Sequence, residues 1–189
     1  MAQGRVEEAA KLADELAQRN PTSANLAARA LTEIAQGRDE QAIASFQEAL
    51  RISPNPLSTL YLADLETRAG RYRAAEGRYQ AILAMGEGSA TLYDHAALRG
   101  LARIARLQGR SDADSLYAKA EAVLRREVAS GAFGHRRELA ELLLERGRAQ
   151  DVPGSRRGPG KTGRPSRCWP GRCSNRASTP RRRKRPREP

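Results

Sequence analysis

Small and apolar residues along residues 1–147 recur with the spacing of helix faces. Ala42, Phe46 and Ala49 lie four and three residues apart, which is one face of a helix. Ala75, Tyr79 and Ile82 repeat that face 33 residues later, and Ala9, Ala13 and Leu16 hold the same places 33 residues earlier. Gly4-Arg5, Gly37-Arg38 and Gly70-Arg71 recur at the same interval, and Pro21 and Pro54 each follow their glycine by 17 residues. Glycine permits the left-handed residue that ends one helix, and proline stops the next. Each period therefore predicts two helices and a turn, with helices over 5–19, 23–36, 39–52, 56–69, 72–84, 90–108, 112–129 and 135–147. Pro56 suits the first turn of its helix, and Ser111 with Asp114 has the spacing of a capping box. Gly77 falls in mid-helix at a cost of about 1 kcal/mol relative to Ala, so a close backbone approach is expected there.

The segment GRDEQAIASFQEALRISPN, from Gly37 to Asn55, resembles the second helix of a tetratricopeptide repeat: small residues at 42 and 49, an aromatic at 46, a proline at 54. Leu60 to Ile82 is similar, with Leu62-Ala63 in its first helix and Ala75 and Tyr79 in its second. The resemblance spans 4–147 and is strongest over 37–85. Leu26 and Thr59 replace the family's first-helix aromatic. The glycine spacing grows to 39 between Gly70 and Gly109, which implies an insertion near Gly86-Glu87-Gly88. Ala113, Tyr117 and Ala120 then restore the small–aromatic–small face one residue early. An unrelated helical bundle is the competing fold. The resemblance implies an all-α fold of stacked antiparallel hairpins, about four repeats incomplete at both ends, forming a short right-handed superhelix whose first helices line a concave face. Phe46 should fill the space between its own hairpin and the next, because a hairpin cannot bury its apolar face alone.

Composition divides the chain. Residues 151–189 hold 13 of the 34 Lys+Arg and 2 of the 22 Asp+Glu, whereas residues 1–150 are nearly neutral. The expected organisation is thus a helical array over 1–150 and a basic tail over 151–189. Pro, Arg, Gly and Ser make up 27 of the 39 tail residues, so the tail should be disordered for want of apolar surface to bury. Arg181-Arg182-Arg183-Lys184-Arg185 would bind phosphates non-specifically. Nucleic acid is accordingly the alternative partner, through residues 156–187. A second explanation of the tail is an out-of-frame translation of a GC-rich gene, since the composition changes just after Gly147-Arg148, where the repeat asks for another helix. The missing first helix before Arg5 suggests an internal piece of a longer repeat protein.

Catalytic and cofactor signals are poor. His95 and His135 sit in separate helices without a carboxylate or cysteine cluster at ligand spacing. Gly158-Pro159-Gly160-Lys161-Thr162 lacks the glycine a phosphate loop needs at Ser155. Cys168 and Cys173 have no second pair. No enzyme, metal or cofactor is expected. No apolar run reaches about 18 residues, and Arg5, Glu7, Glu8 and Lys11 interrupt any secretory-type core, so the expected location is the cytoplasm.

The remaining candidate chemistry is binding of a protein or peptide, with function on the concave face. Arg99, Arg103 and Arg106 fall at i, i+4 and i+7 on one helix, a basic stripe. The repeat register adds Tyr61 and Arg68 from the preceding first helix and Arg137 from the following one. Guanidinium forks bind carboxylates bidentately, so an acidic peptide or a C-terminal carboxylate is the expected ligand. A solvated face whose arginines pair with local Asp and Glu is the competing reading. The Lys and Asn set of the family's chaperone-binding members is absent. At the ends, Leu139, Leu142, Leu143 and Leu144 on one side and Ala9, Leu12, Ala13 and Leu16 on the other should expose apolar surface and favour self-association.

Overall fold

The computed structural model of the chain describes residues 2–85, 92–131 and 134–152. Eight α-helices occur among them: α1 (Ala2–Arg19), α2 (Ser23–Ala35), α3 (Asp39–Ile52), α4 (Pro56–Arg68), α5 (Tyr72–Met85), α6 (Asp94–Leu107), α7 (Ala113–Ala129) and α8 (His135–Glu145). A 3₁₀ turn, Ala149–Asp151, follows α8. The fold is the all-α stack of hairpins implied by the repeat, and the helix limits fall within a few residues of those read from the pattern. The insertion at Gly86-Glu87-Gly88 and the expectations for residues 153–189 lie outside the described residues.

Local chemistry sets the helix ends. Asn55 caps α4 by accepting from the Ser58 N–H at 3.0 Å, with Pro56 at the first helical position. Thr22 does the same for α2, at 3.2 Å from the Asn25 N–H. The Ser111–Asp114 capping box does not form. Asp112 precedes α7 without a side-chain cap and pairs with Arg110 at 2.6 Å instead. Four helices end in the same way. Gly37, Gly70, Gly109 and Gly147 all have φ between 67 and 73°. The N–H of the arginine after each one donates at 2.8 Å to a carbonyl five residues back: Arg38 to Glu33, Arg71 to Glu66, Arg110 to Ala105 and Arg148 to Leu143. That bond satisfies a carbonyl the helix end would otherwise orphan, and only glycine reaches the left-handed conformation without a Cβ penalty. Gly4 makes no such turn. It lies inside α1.

Three core clusters each join a hairpin to the next first helix. Phe46 packs with Ala30, Ala42, Ile43, Leu62 and Leu65, so α2, α3 and α4 share one cluster. Tyr79 sits with Ala63, Ala75, Ile82, Ala97 and Ile104, which joins α4, α5 and α6. Tyr117, Ala120 and Leu124 pack with Ala102 and with Leu139, Leu142 and Leu143 of α8. The three aromatics of the repeat face are all essentially fully buried. Each therefore bridges two hairpins, as stacking of units with incomplete cores demands.

Three expectations change. In α1 the buried set is Ala10, Ala13 and Ala17, not Ala9, Ala13 and Leu16, and Leu12 and Leu16 face outward. With alanine where the aromatic would be, α1 turns a run of alanines towards α2, and Ala17 meets Leu26 and Ala49. At the other end, Leu139, Leu142 and Leu143 are buried against α6 and α7, and of that leucine set only Leu144 is exposed. The apolar face of α8 is thus satisfied by the preceding hairpin. Third, nothing lies within 4 Å of where a Cβ on Gly77 would stand. The close approach occurs at Gly100, where a Cβ would lie 2.7 Å from Cε2 of Tyr79 and closer still to Cε1 and Cζ.

Candidate functional site

The stripe of α6 is real as geometry. Arg99, Arg103 and Arg106 converge on a single carboxylate, that of Glu145 at the end of α8. Arg99 Nε donates to Oε2 at 2.6 Å, Arg103 Nε to Oε1 at 3.2 Å, and Arg106 Nη2 to Oε1 at 3.2 Å. Arg106 Nη1 also reaches the Glu145 backbone carbonyl at 3.2 Å. A fourth side-chain donor, the Tyr117 hydroxyl, arrives at 2.9 Å. Tyr117 carries the Arg106 guanidinium over its ring at 5.0 Å, with Arg146 at 5.9 Å, a cation–π arrangement.

A buried phenol needs a partner, and the two tyrosines find theirs differently. Tyr79 donates to Asp64 of α4, in its own hairpin, at 2.6 Å. The residue in the place of Asp64 one repeat later is Arg103, which has no acceptor. Tyr117 therefore reaches forward to Glu145, the carboxylate that Arg103 holds. Burial pushes the Tyr117 phenol up to about 12, with the Glu145 hydrogen bond next. Burial raises the Glu145 carboxyl too, but the hydrogen bonds from Arg99 and Arg103 outweigh it, so its pKa is lowered overall.

The other candidates are placed apart from this node. Tyr61 is half-buried and stacks on Phe46, with ring centroids 5.7 Å apart. Arg68 pairs with Asp39 of α3 at 3.3 Å. Arg137 is exposed and bonds Glu141 on its own helix at 2.9 Å, while Arg99 approaches the other oxygen of Glu141 at 3.6 Å. Of the six candidates, three come together.

Sequence reasoning missed the acidic half of the site. Glu138, Glu141 and Glu145 lie at i, i+3 and i+7 on α8, one face opposite the stripe of α6. That spacing was readable, and successive first helices carrying opposite stripes is the signal that would have found it. Also missed was the meeting of His95 and His135, whose rings lie edge to face with centroids 5.2 Å apart. Beside them a cavity of about 110 Å³ opens among α4, α6, α7 and α8, lined by Asp64, His95, Arg99, Gly100, Arg103 and Glu138 among others. Among the described residues, no group of three His, Cys, Asp or Glu side chains is placed to hold a metal ion. None of their helices is long and apolar enough to cross a membrane.

Residues 1–55 and 60–120 match the family model described as tetratricopeptide repeat. Those stretches make up more than half of the sequence, and the chain belongs to the tetratricopeptide-repeat family. Its fold is similar to that in the crystal structure of MamA, with a TM-score of 0.57 and 14% identity over 82% of this chain and 86% of that one. At that identity the likeness is one of fold. No curated protein matches the sequence. Stacked repeats of this kind make the chain a protein–protein interaction scaffold in type.

Proposed function

We propose that this scaffold binds an acidic segment of a partner protein along the face formed by α4, α6 and α8, with Arg68, Arg99, Arg103, Arg106 and Arg137 as the contacting cations and Tyr61 beside them. The observation that carries the reading is the arrangement around Glu145. Three guanidiniums from one helix already recognise a carboxylate, and they do so with only part of their hydrogen-bonding capacity. Each guanidinium has five N–H donors. Arg103 uses its Nε on Glu145 and Arg106 its two terminal nitrogens. The Arg103 side chain is 38% exposed and that of Arg106 49%. A ligand carboxylate would meet their remaining donors in charge-assisted bonds.

The test is fluorescence anisotropy on a panel of labelled acidic, neutral and basic peptides with the full chain. Acidic peptides should bind preferentially and lose affinity as salt rises. Arg103→Ala with Arg106→Ala should weaken them about tenfold or more, as expected for one lost charged hydrogen bond. A panel showing no preference for acidic peptides, or one indifferent to that double substitution, sinks the proposal.

A further inference from the structure

The cavity beside the arginine node has an imbalance that the arginine-centred reading does not use. Its cations are partnered: Arg99 by Glu145 and Glu141, Arg103 by Glu145. Its anions are not. Neither Asp64 nor Glu138 forms an ion pair among the described residues, and Asp64 accepts only the Tyr79 hydroxyl there. Two buried side-chain atoms lack any hydrogen-bond partner, Oε2 of Glu138 and Nδ1 of His135. Both belong to the first turn of α8. Glu138 lines the cavity directly, and His135, 6% exposed, lies against the cavity-lining His95. Unsatisfied buried polar atoms are rare enough in folded proteins that each asks for a cause. Here both atoms can accept a hydrogen bond, the imidazole in its neutral form, and neither has a donor.

We propose that this cavity receives the side-chain ammonium of a lysine from the peptide bound along the α4–α6–α8 face. An ammonium is a compact charge with three donors and no acceptor. It matches a pocket lined by the Glu138 carboxylate and Asp64, with the His95 ring beside them. The terminal torsion of a glutamate is broad, so the Glu138 carboxylate turns to meet the ligand without leaving its rotamer. A guanidinium fits less well, being planar and larger. Burial, and then His135, lowers the pKa of His95, so that ring adds no competing positive charge at neutral pH. Partner recognition thereby has two parts: carboxylates on the outer guanidiniums, and one lysine set among them.

This inference rests on the proposed binding of an acidic segment, and the experiment separates the two. The first arm titrates the full chain with n-butylammonium chloride, against sodium chloride at equal ionic strength and n-butanol. The readout is the imidazole resonances of His95 and His135 by NMR. Butylammonium should shift them saturably, the controls should not, and Glu138→Gln should weaken binding about tenfold or more. An equal response to sodium, or no saturable response, overturns the proposal. That comparison on the unsubstituted chain decides the matter even if Glu138→Gln proves unstable. The second arm compares an N-acetylated, amidated Glu-Glu-Lys-Glu-Glu peptide with its norleucine counterpart. Tighter binding of the lysine peptide by about tenfold supports the proposal. Equal binding of both overturns it and leaves the acidic-segment reading standing. Failure of both peptides, with butylammonium still bound, removes the acidic-segment reading and the lysine as source, and leaves an ammonium site alone.

Discussion

Alanine at Gly100 puts a methyl group where the ring of Tyr79 already lies. The added Cβ would stand 2.7 Å from Cε2 and nearer to two other ring atoms, whereas carbon atoms pack at about 3.5–4.0 Å. Tyr79 has no easy retreat. It is fully buried, and its hydroxyl is tied to Asp64 at 2.6 Å. Relief must come from moving α5 or α6, at the upper end of the about 1–3 kcal/mol that overpacking costs. The helix-propensity gain of Gly→Ala returns about 1 kcal/mol. The net loss should be about 2 kcal/mol, a Tm lower by about 4–8 °C. Gly77→Ala is the control. Nothing lies within 4 Å of its would-be Cβ, so the same change there should raise Tm by about 2–4 °C. Thermal and urea melts followed by far-UV circular dichroism measure both. In a Tyr79→Ala background, Gly100→Ala should turn neutral or stabilising, a coupling of about 2 kcal/mol or more. If Gly100→Ala stabilises the unaltered chain as Gly77→Ala does, the packing of Tyr79 over α6 is wrong.

Phe46→Ala should cost about 3–5 kcal/mol in the same melts, because its ring bridges two hairpins, while the exposed Glu48→Ala stays within about 0.5 kcal/mol. The lowered Glu145 pKa means its carboxylate contributes stability above the ordinary value of 4.5, and that contribution is lost as pH falls through the lower folded value. Glu145→Gln should therefore flatten the acid limb of the Tm profile and lower Tm at neutral pH, and an unchanged acid limb would contradict the guanidinium node. Hydrogen exchange should be fast in α1, whose buried apolar residues are all alanines, and slower in α8, which buries three leucines; the reverse order would discredit the packing of α8. Any salt-sensitive affinity for DNA or RNA should vanish on deleting residues 151–189, which hold 13 Lys+Arg against two acids, and its survival would place the interaction on the helical body.

Period and punctuation by themselves determined the architecture. The Gly-Arg pairs, the prolines and the small–aromatic–small faces each encode local geometry, a left-handed turn, a stop or a buried side, and local geometry is written residue by residue. That is why Phe46, Tyr79 and Tyr117 could be assigned to the core, and why the arginine stripe of α6 was legible as a stripe. What faces a helix is not local. Gly77 and Gly100 look alike in sequence, and only the neighbour decides that one is open and the other lies under a tyrosine. Position 61 becomes position 100 after the longer repeat, so a tyrosine that stacks on Phe46 gives way to the glycine that Tyr79 requires. The arginines likewise acquired meaning only when α8 set Glu145 among them, because an ion pair 39–46 residues apart in sequence depends on how two hairpins stack. The same stacking buried Leu139, Leu142 and Leu143, and in α1 the absence of an aromatic rotated the helix onto its alanines. Side-chain periodicity fixes which face is apolar; the area and charge offered by the neighbouring helix fix what that face becomes.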